Sequence, residues 1–104
     1  MRTFQVIILT LPGLPEPSVA IAASRAGGLG VLDLEYIRDE QTAFKAIQQL
    51  IKYAHNDVGL KLDSRAKEFF AKITAELPEQ IKTVILTFGA RTQMQEQVEF
   101  LHHK

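Results

Sequence analysis

The chain has 104 residues and a mass of 11.7 kDa, the size of one small domain. Hydrophobic residues make up 46% of it and charged residues 23%, and twelve Lys and Arg balance twelve Asp and Glu. This excludes a disordered, highly charged chain and a basic nucleic-acid-binding surface. Cysteine is absent, which removes disulfides, thiolate metal sites, iron–sulfur clusters and cysteine nucleophiles together.

The first apolar run, Phe4–Leu11, is nearly continuous and rich in β-branched residues. Such a run predicts a strand buried on both faces, as in a parallel sheet. It stops at Pro12, far short of the roughly twenty apolar residues of a membrane helix. Arg2 alone does not make the basic start of an export signal, and Pro12, Pro15 and Pro17 break the segment after the apolar run. With no cysteine and no targeting segment, the expected compartment is the cytoplasm.

Pro17 suits a helix start, and Ser18–Ala26 is the expected first helix. Its small residues, Ala20, Ala22, Ala23 and Ala26, let a helix lie close to a sheet. Gly27 is placed to end it in a left-handed cap. Gly30–Glu35 reads as the second strand. Asp39–His55 reads as an amphipathic helix, with Asp39 as N-cap and a stripe of Phe44, Ile47, Leu50, Ile51 and Ala54. After the turn at Asn56-Asp57 comes a third strand, Val58–Asp63. Ser64 is the expected cap of a third helix with the stripe Ala66, Phe69, Phe70, Ile73 and Leu77, ended by Pro78. Thr83–Phe88 is the fourth strand. Residues 90–104 form a fourth helix, with Met94, Val98 and Leu101 on its apolar side.

The pattern is four consecutive β-α units in one α/β domain spanning residues 1–104. Alternation of this kind implies a parallel sheet with right-handed crossovers. Two architectures fit: an open doubly wound sheet, or half of a (β/α)₈ TIM barrel. In both, function sits at the carboxyl ends of the strands. The search narrows to the loops Leu11–Pro17, Asp33–Asp39, Lys61–Ser64 and Phe88–Arg91.

The cluster Gly27-Gly28-Leu29-Gly30 closes a helix and opens a strand. A dinucleotide loop does the reverse, so the cluster reads as a cap and turn. Lys61 and Asp63 are two apart on one strand and share a face, opposite Leu60 and Leu62. They form an ion pair, or Asp63 helps Ser64 to cap the next helix, or Lys61 contacts a ligand. Asp33 and Glu35 also share a face. They could do acid–base work, but a solvated pair at a strand end is the plainer expectation. His102 and His103 are adjacent and diverge on a helix, and His55 ends a helix, so no metal site is expected. Thr10, Ser64 and Thr87 lie near the rim with no histidine partner, which leaves a catalytic triad unsupported and the catalytic residue unassigned.

The segments Ile7-Ile8-Leu9-Thr10-Leu11-Pro12-Gly13 and Val19–Leu32, the latter containing Ala26-Gly27-Gly28-Leu29-Gly30, resemble the start of nitronate monooxygenases, formerly called 2-nitropropane dioxygenases. Flavin-dependent enoyl reductases are related, and such barrels also occur within polyketide and fatty-acid synthases. Val58–Leu62 and Val84–Gly89 resemble the family's third and fourth strands. The resemblance implies the N-terminal half of an FMN-binding oxidoreductase barrel acting on a small-molecule substrate. It places Leu11, Pro12 and Gly13 against the flavin ring, and Lys61 where the family usually has an asparagine reaching the flavin. Gly13 stands where a methionine is common. A lysine there could stabilise negative charge on the reduced ring. The family's phosphate loops and catalytic histidine belong to the other half of the barrel, so this chain alone is not expected to retain FMN tightly or to be active. The expected partners are therefore the remainder of a larger polypeptide or a second copy in a homodimer. A non-catalytic α/β scaffold or interaction module is the alternative.

Overall fold

The computed structural model describes residues 2–104. Strands β1 (Ile7–Leu9), β2 (Leu29–Asp33), β3 (Val58–Asp63) and β4 (Ile81–Thr87) alternate with helices α1 (Ser18–Arg25), α2 (Glu40–Tyr53), α3 (Lys67–Ala75) and α4 (Arg91–His102). The strands form one sheet in the order β1-β2-β3-β4, and every pairing is parallel. This is the expected α/β class with four β-α units. The order also separates the two architectures. A doubly wound sheet reverses its strand order and carries helices on both faces. Here the order never reverses, so right-handed crossovers place successive helices on one face, as in half of a barrel. No helix among the described residues is long and apolar enough to cross a membrane.

Register defines the two faces. Leu9, Val31, Gly59 and Thr83 are aligned across the sheet, as are Asp33, Lys61 and Ile85. Aligned residues share a face, which we call the inner one. The alternate residues, Leu32, Leu60, Leu62, Val84 and Leu86, form the outer face. There Leu32, Leu60 and Leu62 meet Ala20 of α1, Ala43, Ala46, Ile47 and Leu50 of α2, and Phe69, Phe70 and Ile73 of α3 in one hydrophobic core. The apolar residues Ile7, Val31 and Ile85 lie on the inner face. Val31 is fully buried, while Ile7 is 46% exposed.

α1 approaches β2 closely because Gly30 has no side chain. A Cβ there would lie 2.0 Å from the Ala20 carbonyl oxygen. The helix ends as its sequence dictates. Gly27 has φ +93°, the Gly27 N–H donates to Ser24 O, and the Gly28 N–H donates to Ala23 O. That is a Schellman cap, which needs a left-handed residue at Gly27's position.

Several details depart from the sequence reading. β1 is only three residues long and exposed throughout, not buried on both faces, because it is an edge strand. α2 is rotated from its expected stripe. Phe44 is exposed while Ala43 and Ala46 are buried, since alanines allow closer packing on the sheet. Ser64 does not cap α3, whose N-cap position is Ala66. The buried residue of α4 is Gln97, and Val98 is exposed.

Candidate functional site at the carboxyl rim

The inner face carries charge at its carboxyl end. Register puts Asp33 directly beside Lys61 on the neighbouring strand. Neighbouring strands lie about 4.8 Å apart, whereas residues i and i+2 on one strand are about 6.6 Å apart. Lys61 therefore pairs across strands and not with Asp63. Its Nζ lies 3.6 Å from Asp33 Oδ2 and 3.3 Å from Glu35 Oε2. This corrects the expected Lys61–Asp63 pair. It also corrects the solvated reading of Asp33 and Glu35, which are 1% and 4% exposed.

The two carboxylates are further fixed from the flanking strands. Thr87 Oγ1 donates to Glu35 Oε2 at 2.6 Å. Asp33 Oδ1 accepts the Glu35 N–H at 2.9 Å, and Thr10 Oγ1 accepts the Asp33 N–H at 2.9 Å. Thr87 thus braces the Glu35 carboxylate, whereas Thr10 holds the Asp33 backbone. The Thr87 hydrogen bond, against the opposing effect of burial and with help from Lys61, holds the Glu35 pKa below its ordinary value. Burial pulls Lys61 down, but the Glu35 hydrogen bond and the charges of Asp33 and Glu35 outweigh it and leave its pKa raised. Glu35 is therefore ionised and Lys61 protonated at neutral pH. The cluster presents fixed charge, and neither Glu35 as acid nor Lys61 as base is poised to transfer a proton.

Asp63 organises a second cluster. Its Oδ1 accepts the Arg65 N–H at 2.8 Å, and its Oδ2 lies 2.8 Å from both Arg65 Nη2 and Arg38 Nη2. Arg38 also donates to the Glu35 and Ile37 carbonyls. The Arg65 hydrogen bond is the main reason that the Asp63 pKa is lowered to about 2. Asp63 is 2% exposed, whereas its two partners reach solvent. Because the folded pKa lies below the unfolded one, this carboxylate stabilises the fold above pH 4. That contribution fades as pH falls from 4 toward 2. Asp63→Asn should remove about 2 kcal/mol at pH 7 and little near pH 2. Urea melts at the two pH values check this.

Aromatic groups extend the rim. Arg65 lies over the Phe88 ring, 4.5 Å from its centroid, and Tyr36 stands 6.5 Å from the same ring. Phe88 is a non-glycine residue at φ +63°, held in the left-handed region. Both rings are about half exposed. Ser64 is buried and turned away from the rim toward α4. Its Oγ donates to Gln97 Oε1, and its carbonyl accepts from Gln93 Nε2 and Gln97 Nε2.

Leu11, Pro12 and Gly13, the expected flavin contacts after β1, form an exposed turn. The Leu14 N–H donates to Leu11 O, and Gly13 has φ +83°. Leu11 is 68% exposed. They project from the same end of the sheet as Lys61, one strand beyond Asp33. Arg38, Arg65, Tyr36 and Phe88 were missed in the sequence. Arg65 had a legible signal, since Asp followed two residues later by a donor often closes a local turn. Arg38 had none. Among the described residues, no three His, Asp or Glu side chains could hold a metal ion.

No protein-family model, curated protein or solved structure gives a significant match to the chain.

Proposed function

We propose that this chain is the N-terminal, flavin-facing half of an FMN-dependent oxidoreductase barrel of the nitronate monooxygenase or enoyl reductase type. A polyketide or fatty-acid synthase is one setting for such a barrel, and a cytoplasmic location goes with the reading. The observation that carries it is a protonated Lys61 at the carboxyl end of an inner sheet face that none of the described helices covers. That is where a barrel of this order places its ligand.

The residues present fit one end of FMN. Exposed Leu11 and Pro12 offer an apolar edge for a flat ring, and the space beside Gly13 is open, with nothing within 4 Å of a Cβ built there. When bound, FMN supplies a reversible two-electron centre. Lys61, fixed by Asp33 and Glu35, would set a positive charge beside the ring and favour its anionic reduced form. Arg65, Phe88 and Tyr36 would border the substrate side. At the phosphate end no glycine-rich turn opens a helix at the carboxyl rim.

Flavin titration tests the reading and its asymmetry. FMN and riboflavin should both be quenched by the chain, with dissociation constants within about threefold of each other, because the phosphate adds little here. If neither flavin responds, the reading fails. The second reading, a non-catalytic scaffold or interaction module, is favoured by the complete engagement of Lys61 by two carboxylates. It predicts no flavin response in any assembly state.

A further inference from the structure

The 720 Å³ and 600 Å³ cavities lie at opposite ends of the sheet. One runs along β4, between the end of α3 and α4, and is lined by Leu77, Ile81, Val84, Leu86, Val98 and Leu101. The other lies outside β1, beside the end of α1, and is lined by Phe4, Val6, Ile8, Ala23 and Leu29. The two ends are complementary. At the β4 end a helix, α4, stands over space that no strand fills. At the β1 end Val6, just before the strand, and Ile8 are only partly covered by α1 and remain 52% and 40% exposed.

The backbone edges match in the same way. The Leu29 N–H donates to Val6 O and the Thr10 N–H donates to Val31 O, so the even-numbered residues of β1 bond to β2. In a parallel ladder the N–H and C=O groups of Ile7 and Leu9 then point out of the sheet. On β4 the Thr87 carbonyl accepts from the Ser64 N–H, so Val84 and Leu86 point out at the other edge.

We propose that the free edge of β1 in one copy pairs in parallel with the free edge of β4 in a second copy, and the reverse by two-fold symmetry. The result is a homodimer that closes an eight-stranded barrel. α4 of each copy then covers Val6 and Ile8 of the other, and the Leu11–Gly13 turn of one copy adjoins Phe88 of the other. The area is sufficient. Phe4, Val6, Ile7, Ile8, Leu9 and Leu11 are 39–72% exposed. At about 150–250 Å² for a whole large side chain, they leave roughly 600 Å² open. Val98 and Phe100, 41% and 45% exposed, add roughly 200 Å². Burying about 800 Å² per partner is typical of a stable dimer. The net charge of zero adds no repulsion between copies. Two identical head-to-tail junctions close the ring and leave no edge to propagate. The inference shares the half-barrel reading of the proposed function and takes a second copy as the other half. Flavin plays no part in it, so a chain that dimerises without binding flavin would uphold it while the flavin reading fails.

Light scattering and sedimentation on the full chain test it. The wild-type chain should have twice its 11.7 kDa mass at roughly micromolar concentration. Leu9→Pro removes an N–H that points out of the sheet and spares the bonds to β2. It should weaken the dimer at least about 100-fold. Val98→Glu, at an exposed position of α4, should weaken it at least about tenfold while keeping the helical circular dichroism of the wild type. If Leu9→Pro does not fold, Val98→Glu decides. A wild-type monomer at these concentrations, a larger open assembly, or a dimer indifferent to both substitutions overturns the proposal.

Discussion

Lys61→Met should destabilise the protein by about 3–5 kcal/mol at pH 7, the usual cost of leaving a buried charge without its partner. Lys61 is the only cation within ion-pair distance of Asp33 and Glu35 among the described residues. Methionine matches the length of the lysine stem, so packing changes little and the loss reports charge. Both carboxylates are nearly inaccessible and cannot recover their hydration. Glu35 should therefore protonate more readily in the variant, and the deficit should shrink as pH falls from 7 toward the carboxylate range near 4–5. The direction follows from Glu35, whose folded pKa is lowered and whose stabilising effect is lost as pH drops. Denaturant melts at pH 7 and pH 4.5 measure both effects. A deficit below about 1 kcal/mol, or one equal at the two pH values, would show that the carboxylates do not depend on Lys61.

Gly30→Ala is expected to cost about 3 kcal/mol or more, an unusual penalty for one added methyl group. Its Cβ would sit 2.0 Å from Ala20 O, 2.6 Å from Ala20 C and 2.8 Å from Ala20 Cα. Those are backbone atoms in the first turn of α1, so no rotamer change relieves the clash. The whole helix must lift from β2, which opens the core around Ala20 and Leu32. Gly27→Ala provides the contrast. The space around Gly27 is open, and only its left-handed backbone resists a side chain, at about 1–2 kcal/mol. Thermal or urea melts of the pair should rank Gly30→Ala well below Gly27→Ala. The reverse order would show that α1 sits more loosely on the sheet than its geometry indicates.

Much of the fold could be read from residue pattern because each element announces itself locally. Pro17 and Gly27 bracket α1, Pro78 follows α3, and Val58–Asp63 matches β3 residue for residue. Local pattern also showed that Lys61 and Asp63 share a face, and Asp33 and Glu35 another pair. It could not show which pairs would meet. That depends on register between strands separated by a whole helix, and register placed Asp33 beside Lys61. The burial of Asp33 and Glu35 had the same origin, since a strand end looks solvated until its neighbours are known. β1 was misread because its composition is that of a central strand while its position is at an edge. In α4, Gln93 and Gln97 carry the attachment to Ser64, and glutamines on a helix ordinarily signal a solvent face.

The sequential strand order has a kinetic consequence. Each strand pairs only with the strand made just before or after it, so every strand pairing links consecutive units. Each pairing is parallel and must close a loop that contains a whole helix, and such pairing is intrinsically slow. The β2–β3 pair, with α2 between its strands and buried residues on both faces, can form first and template its neighbours on either side. During synthesis, β1, α1 and β2 can assemble before β4 has left the ribosome. A nascent chain of this design gains stability one unit at a time.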